Sequence, residues 1–332
     1  MSKNTSKTMV GIVGLGMVGE PLRKWFEELM GYKRGKDLFC YDADPQKGYF
    51  DDINKAEVVF VAVPTPPNRD GSCNTSIVEA AVGKIKDGKI VVVKSTVEPG
   101  TVERLQNKYP KKRFIFNPEF LTESQAWNDF LSPDRQIIGT TAKSAPDAIR
   151  VLKLLPKIKT LTPNHHGGFV NATEAEMGKY ASNIFGYMKV VYGNILADIS
   201  HAMNYELKNN KTNAKVNYNN IKNIIGADLR IGHAWLNVEH GNYCGAGGYC
   251  FPKDMNAFIS FSNLLAKNIE KRKVNKEFIK TLKKGISVLE SVRDYNTELL
   301  NWQGLTIEDV SKHNKEIIVQ KRKVIRDFHG KK

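Results

Sequence analysis

Val10-Gly11-Ile12-Val13 runs straight into Gly14-Leu15-Gly16-Met17-Val18-Gly19, and this stretch decides the fold. A short β-branched run followed at once by GxGxxG, and then by a helical pattern over Val18–Met30, is the dinucleotide-binding turn in the context it requires. Gly14 permits the tight turn, Gly16 lets the backbone approach a pyrophosphate, and Gly19 lets the helix pack on the strand. The helix N-terminus then turns its N–H groups toward the phosphates. Met17 and Val18 complete the turn and count among the cofactor-binding positions. Asp42 closes the next strand, Cys40-Tyr41-Asp42, roughly 20 residues past the last glycine. A carboxylate there accepts from ribose hydroxyls and repels a 2′-phosphate, so the expected cofactor is NAD and not NADP.

Outward from this turn, short apolar runs recur at Leu38–Tyr41, Val58–Val63, Ile90–Val93, Phe114–Phe116 and Gln136–Ile138. Helical patterns fill the gaps at Ile77–Ile85, Gly100–Lys108 and Ala145–Leu155. Continuous apolar strands alternating with helices predict a Rossmann-like, doubly wound parallel sheet covered on both faces. Past Pro163 the β-like runs almost vanish. Ala172–Leu207 reads as one long helix, and Asn219–Ile225, Met255–Ala266, Lys276–Val292 and Glu308–Arg326 as further helices. The expected organisation is a disordered N-terminus over 1–7, a dinucleotide-binding domain over 8–163, an all-helical domain over 164–300 and a lysine-rich helical tail over 301–332. The expected connection is Thr160–Gly168, with Pro163 and the Gly167-Gly168 pair as breakers.

Composition excludes several classes. Of the 332 residues 41% are hydrophobic and 26% charged, an ordinary globular balance. No apolar run reaches the ~18–20 residues that span a bilayer, and no signal-type stretch follows Met1–Lys7. The expectation is therefore a cytoplasmic protein without a membrane partner. The formal charge of +15 suits anionic small molecules. Without a basic stripe interleaved with aromatics, or a nucleic-acid motif, no nucleic-acid partner is expected. Cys40, Cys73, Cys244 and Cys250 form neither a disulfide framework nor a zinc pattern, so no metal is expected. Cys40, inside a strand, reads as a small core hydrophobe.

Further motifs follow in order: Pro64-Thr65-Pro66; Ser95-Thr96-Val97 with Gly100-Thr101; Asn117-Pro118-Glu119-Phe120-Leu121-Thr122-Glu123; Pro133-Asp134-Arg135. Then come Glu176, Lys179 and Asn183 on the long helix, Asp228-Leu229-Arg230-Ile231-Gly232, and Gly245-Ala246-Gly247-Gly248-Tyr249-Cys250-Phe251-Pro252-Lys253-Asp254. Together these resemble the UDP-glucose/GDP-mannose dehydrogenase family over roughly residues 8–260. The resemblance implies oxidation of a nucleotide-sugar C6 alcohol, UDP-glucose to UDP-glucuronate foremost, in two NAD-dependent steps.

Cys250 suits that chemistry, because a thiolate holds the intermediate aldehyde as a thiohemiacetal that a second oxidation converts to a thioester. Cys244 lies before the glycines, where the resemblance places no nucleophile. Lys179 and Asn183 share one helix face and together suit an oxyanion. Such a pair is commonly just a solvated face, and the resemblance is what assigns it a function. It further implies Asp254 as a water or proton holder, Glu119 as acid/base for thioester hydrolysis, and Thr96 beside the catalytic water. Thr65, Thr96 and Glu123 would contact the cofactor. Glu119, Phe120, Leu121, Lys179, Asn183, Arg230 and Gly247 would contact the substrate. Arg230 matches an arginine that reaches the neighbouring subunit's substrate, which implies a homodimer seamed by the long helix. The Arg230–Cys250 segment is a few residues longer than in familiar members, so this role stays open.

Family members usually continue into a second α/β domain that clamps the nucleotide. Here Met255–Lys332 reads as helical, without a second strand–helix series, so the C-terminal nucleotide-binding domain is expected to be lacking. Three arrangements fit: a compact enzyme whose tail binds substrate, a smaller substrate, or a separate chain that completes the nucleotide site. Two further readings stand beside the first. One is a two-electron hydroxyacid-type dehydrogenase, for which a reactive cysteine is superfluous. The other is a non-catalytic NAD or sugar-nucleotide binding protein.

Overall fold

The structure, a computed structural model, describes residues 7–122, 125–158, 169–210, 213–240, 242–272, 274–311 and 315–321. The expected connection Thr160–Gly168 lies outside them. The chain divides into two compact units, Met1–Asn68 with Cys73–Lys179, and Arg69–Ser72 with Tyr180–Lys332.

The first unit is built on a seven-stranded sheet. Its strands are β1 (Val10–Val13), β2 (Leu38–Tyr41), β3 (Val58–Val61), β4 (Ile90–Val93), β5 (Arg113–Phe116), β6 (Ile138–Thr140) and β7 (Phe169–Asn171), in the order β2-β1-β3-β4-β5-β6-β7. The first five pair in parallel, with Val10 opposite both Leu38 and Val58. β1, β3 and β4 are buried along their whole length, as strands covered on both faces must be. One face packs Ile12, Leu22, Phe26, Phe60 and Val92, and the other Val59, Val61, Val78, Val102 and Phe114. The chain leaves β1 for β2 on one side and returns to β3 on the other. This strand-order switch opens a crevice at the carboxyl ends of β1 and β3.

Several features depart from the sequence expectation. β6 runs antiparallel to β5, and its residues are Ile138–Thr140 instead of Gln136–Ile138. β7 lies beyond Pro163, yet it completes the first unit's sheet by pairing parallel to β6. Strands of three residues carry too little periodicity to be read from a pattern. The first helix is α1 (Gly19–Lys24), continued by a π-helical turn over Trp25–Leu29, in which Met30 N–H donates to Trp25 O at 3.0 Å. The Trp25 indole N–H anchors this turn on Leu154 O at 2.8 Å. Among the described residues the remaining α-helices of this unit are α2 (Ser76–Lys84), α3 (Thr101–Lys108), α4 (Ala126–Leu131) and α5 (Ala148–Leu152).

The 38-residue helix α6 (Ala172–Asn209) follows β7. Beyond it the second unit contains α7 (Tyr218–Gly226), the small hairpin β8 (Glu239–His240) and β9 (Tyr243–Cys244), α8 (Cys250–Glu270), α9 (Lys276–Trp302), α10 (Ile307–Ser311) and α11 (Lys315–Lys321). α8 starts at Cys250 and not at Met255. Pro252 looks like a breaker, but in a first helical turn its missing N–H has no intrahelical partner to lose. α9 runs ten residues past the expected Val292, to Trp302. The expected helix Glu308–Arg326 is two short pieces over its described residues. Among the described residues no helix is long and apolar enough to cross a membrane.

Candidate active site

At the end of β1, Gly14 has φ +89°, a left-handed conformation that disfavours any side chain, and a Cβ there would lie 2.6 Å from Ala62 O. A Cβ on Gly19 would lie 1.9 Å from Gly14 O, so the helix closes on the end of the strand only because residue 19 is glycine. Gly16 has open space around its Cα. Met17 is exposed and Val18 half-buried on the same turn. Room for a ligand backbone at Gly16, with crowding on the protein side at Gly14 and Gly19, fits a bound dinucleotide.

Asp42 lies just past β2 and is buried. It accepts from Leu15 N–H at 2.6 Å, Asp44 N–H at 2.9 Å and the Lys47 ammonium at 3.0 Å. Burial alone would raise its pKa, but the Asp44 and Leu15 amides and Lys47 outweigh it and hold the carboxyl below its ordinary range. The group therefore stays an anion, ready to accept a ribose hydroxyl. Lys47, which also donates to Leu15 O at 3.1 Å, was not singled out from the sequence. Nothing in Asp-Pro-Gln-Lys-Gly marks it until the chain turns back on Asp42.

A second cluster of this unit gathers at the carboxyl ends of β4 and β5. Thr65 donates to Thr96 O at 2.8 Å, and Ser95 Oγ to Val63 O at 2.7 Å, which ties the two loops together. Thr96 is half-buried. Lys94 is buried and donates to Asn117 Oδ1 at 2.7 Å. Asn117 Nδ2 donates to Ile137 O at 2.9 Å, which orients its amide. Burial pushes the Lys94 pKa down to about 8, against the pull of Glu119 and helped by the like charge of Lys179. Glu119, half-buried, accepts from Leu121 N–H at 3.4 Å. Two cations lie over the Phe120 ring, the Arg135 guanidinium 3.7 Å and the Lys179 ammonium 5.2 Å from its centroid. Lys179, Glu119, Phe120 and Leu121 are thus neighbours. Glu123 lies outside the described residues.

Glu176, one turn before Lys179, is fully buried and accepts from Gly100 N–H at 2.6 Å and Val102 N–H at 2.8 Å, at the start of α3. Its fixed contacts set the first turns of α6.

In the second unit, Cys250 is the first residue of α8 and Asp254 lies one turn further on, so thiol and carboxylate share a face. Asp254 is 1% exposed and accepts from Asn183 Nδ2 and from Lys253 Nζ, each at 2.5 Å. A buried carboxylate with a cation and an amide on its two oxygens is both charge-compensated and aimed. Cys250 is half-buried, whereas Cys40, Cys73 and Cys244 are buried. Gly247 is half-buried in the loop ahead of it. Arg230 is exposed and pairs with Asp228 at 2.6 Å.

Residues 46–154 match the NAD binding domain of the UDP-glucose/GDP-mannose dehydrogenase family, and residues 173–284 its central domain. UDP-glucose 6-dehydrogenase of Rickettsia bellii (strain RML369-C) is 31% identical over 280 residues, 81% of this chain and 57% of that protein. The same enzyme of Pseudomonas aeruginosa is 35% identical over 219 residues, 61% of this chain and 44% of that one. The chain spans about half the length of these curated relatives. A UDP-glucose dehydrogenase from the archaeon Pyrobaculum islandicum shares the fold, with a TM-score of 0.67 at 24% identity over 97% of this chain and 82% of that one.

Proposed function

The chain belongs to the UDP-glucose/GDP-mannose dehydrogenase family, and we propose that it oxidises the C6 alcohol of a nucleotide sugar, UDP-glucose foremost, to the carboxylate. The observation that carries this is the buried Asp254, fixed by Asn183 and Lys253, one helical turn from Cys250. A single oxidation needs no thiol, whereas a four-electron oxidation must keep its aldehyde from escaping.

NAD would supply the hydride acceptor for each of two oxidations. Asp254, through water, takes the proton of the C6 hydroxyl in the first. The Cys250 thiolate then adds to the aldehyde carbon, forming a C–S bond and a thiohemiacetal whose oxygen takes up a proton. The second oxidation removes that hydroxyl proton and leaves a thioester. A water deprotonated by Glu119 attacks the thioester carbon, the C–S bond breaks, and the thiolate leaves with the acid released. Lys179 and Asn183 supply a cation and an amide donor for the oxyanions, and Thr96 sits beside the water. Gly14, Gly16, Gly19, Asp42, Thr65 and Glu123 hold the cofactor. Phe120, Leu121 and Gly247 line the substrate, and Arg230 reaches it from the partner in a homodimer. A separate chain that completes the nucleotide site belongs to the same reading.

The test is NADH yield from purified protein with UDP-glucose, UDP-N-acetylmannosamine and GDP-mannose, beside Cys250→Ala. Two NADH per sugar, lost in the variant, is the expected result. One NADH per sugar, indifferent to Cys250, refutes the thioester route. Intact NAD binding with no turnover on any of the sugars refutes a chain that acts alone.

A further inference from the structure

The loop between β9 and α8, Gly245–Tyr249, leads directly to Cys250, and its backbone polar groups must be satisfied. On one edge the partners come from the C-terminal segment. Cys244 N–H donates to Gln303 Oε1 at 2.8 Å, and Cys244 O accepts from Gln303 Nε2 at 2.9 Å. Two residues on, Ala246 N–H donates to Asn296 Oδ1 at 2.7 Å, and Ala246 O accepts from Asn296 Nδ2 at 2.9 Å. Two residues further, Gly248 N–H donates to Val310 O at 3.1 Å. Residues 244, 246 and 248 thus present one edge, and each side-chain amide does for a loop residue what a neighbouring strand would do. Asn296, Gln303, Cys244 and Ala246 are all buried, so water does not replace these bonds.

Two further observations point the same way. Gly245 has φ +113°, and a Cβ there would lie 2.8 Å from Asn296 Oδ1, so the loop residue is shaped to admit that amide. Tyr243, Leu300, Leu305, Val310 and Ile318 form one apolar cluster beneath the loop. None of Asn296, Gln303 or Val310 lies within residues 173–284, the part matched by the family's central domain.

We propose that Asn296, Gln303 and the Val310 carbonyl are positioning residues, which fix the backbone of the glycine-rich loop and through it the placement of the Cys250 thiol at the start of α8. The proposal rests on the reading of Cys250 as nucleophile. Residues beyond the matched domain thereby become part of the catalytic apparatus without touching substrate. A loop released from this edge lets the first turn of α8 fray, and the thiolate loses the N–H groups of the helix N-terminus that favour it.

The test uses the full chain and reads alkylation of Cys250 by iodoacetamide, with Cys250→Ser as blank. Asn296→Leu and Gln303→Met keep the side-chain volume and remove the amide. Ile286→Ala, a buried α9 residue outside the cluster beneath the loop, serves as a destabilised control. The expected result is alkylation slowed about tenfold in both amide variants, the scale of two lost hydrogen bonds, with Ile286→Ala near wild type. In turnover, kcat should fall with KM for NAD unchanged. Amide hydrogen exchange over 244–248 should quicken in the same variants, and it remains readable if one of them is weakly folded. Wild-type alkylation and exchange in folded Asn296→Leu and Gln303→Met would overturn the proposal. A wild-type protein with no dehydrogenase turnover refutes a chain that acts alone instead, and leaves the alkylation comparison to decide this one.

Discussion

Replacing Glu176 with Gln should move the stability difference from wild type in the variant's favour between pH 5 and pH 8, by roughly 2–3 kcal/mol. The carboxyl is fully buried and receives two backbone N–H groups, from Gly100 and Val102. Burial pushes its pKa up from 4.5 to about 7, and the two amides only partly pull it back. The folded protein therefore holds this proton more tightly than the unfolded chain. The resulting stability is fully present below pH 4.5 and is lost as pH rises through about 7. At about 1.4 kcal/mol per pKa unit, the loss approaches roughly 3 kcal/mol by pH 8. Glutamine does not titrate, so the variant escapes the loss; its amide nitrogen cannot accept one of the two N–H groups, a cost that is the same at every pH. Urea unfolding of both proteins at pH 5, 6, 7 and 8 measures the difference, from which the titration of all other groups largely cancels. A difference that stays flat, or a wild type that gains on the variant as pH rises, would refute the reasoning. It would mean that the two amides and the α3 terminus favour the anion more than burial opposes it.

Gly19→Ala should abolish measurable NAD binding and cost about 1–3 kcal/mol of stability, because the new methyl meets the Gly14 carbonyl; cofactor titration and a melting curve check both, and wild-type binding would contradict the packing argument. Lys94→Met addresses a buried cation whose folded pKa, about 8, lies below its ordinary 10.5. The cost of its charge is fully present below pH 8 and is relieved as pH rises toward 10.5, so wild type should gain on the variant between pH 7 and pH 10 in denaturant unfolding. A pH-independent gap would place the charge in a better-compensated site than the structure describes. Phe185, Tyr192, Ile199 and Met203 form an exposed apolar row along α6. Ile199→Glu should convert a dimer to monomer in sedimentation, and a wild type already monomeric at the same concentration would remove the proposed seam.

The parts legible in the sequence were those encoded by neighbours along the chain. Gly14-x-Gly16-x-x-Gly19 between a strand and a helix, the apolar runs of β1, β3 and β4, and the long periodic stretch of α6 carry their structure in local spacing. The motif residues around Cys250, Lys179 and Glu119 were likewise visible as candidates. Less legible was anything shorter than its own period. β6 and β7 have three residues each, and the reversal of β6 could be seen only from its pairing with β5. The start of α8 hid behind Pro252, since the same residue ends a helix in one position and is harmless in the first turn of another.

The dinucleotide turn, the alternation of strand and helix, the helical character of the second half, and the residue types from which a site could be built are all written in the order of residues along the chain. Folding alone settles which distant groups meet: Lys47 on Asp42, Glu176 on the start of α3, Asn183 and Lys253 on Asp254, and Asn296 and Gln303 on the loop before Cys250. The difference is one of range. Secondary structure follows from sterics and periodicity over a few residues. A buried amide or carboxylate is instead placed by whichever unsatisfied backbone group or charge the folded chain brings to it, and that partner leaves no trace in the neighbouring sequence.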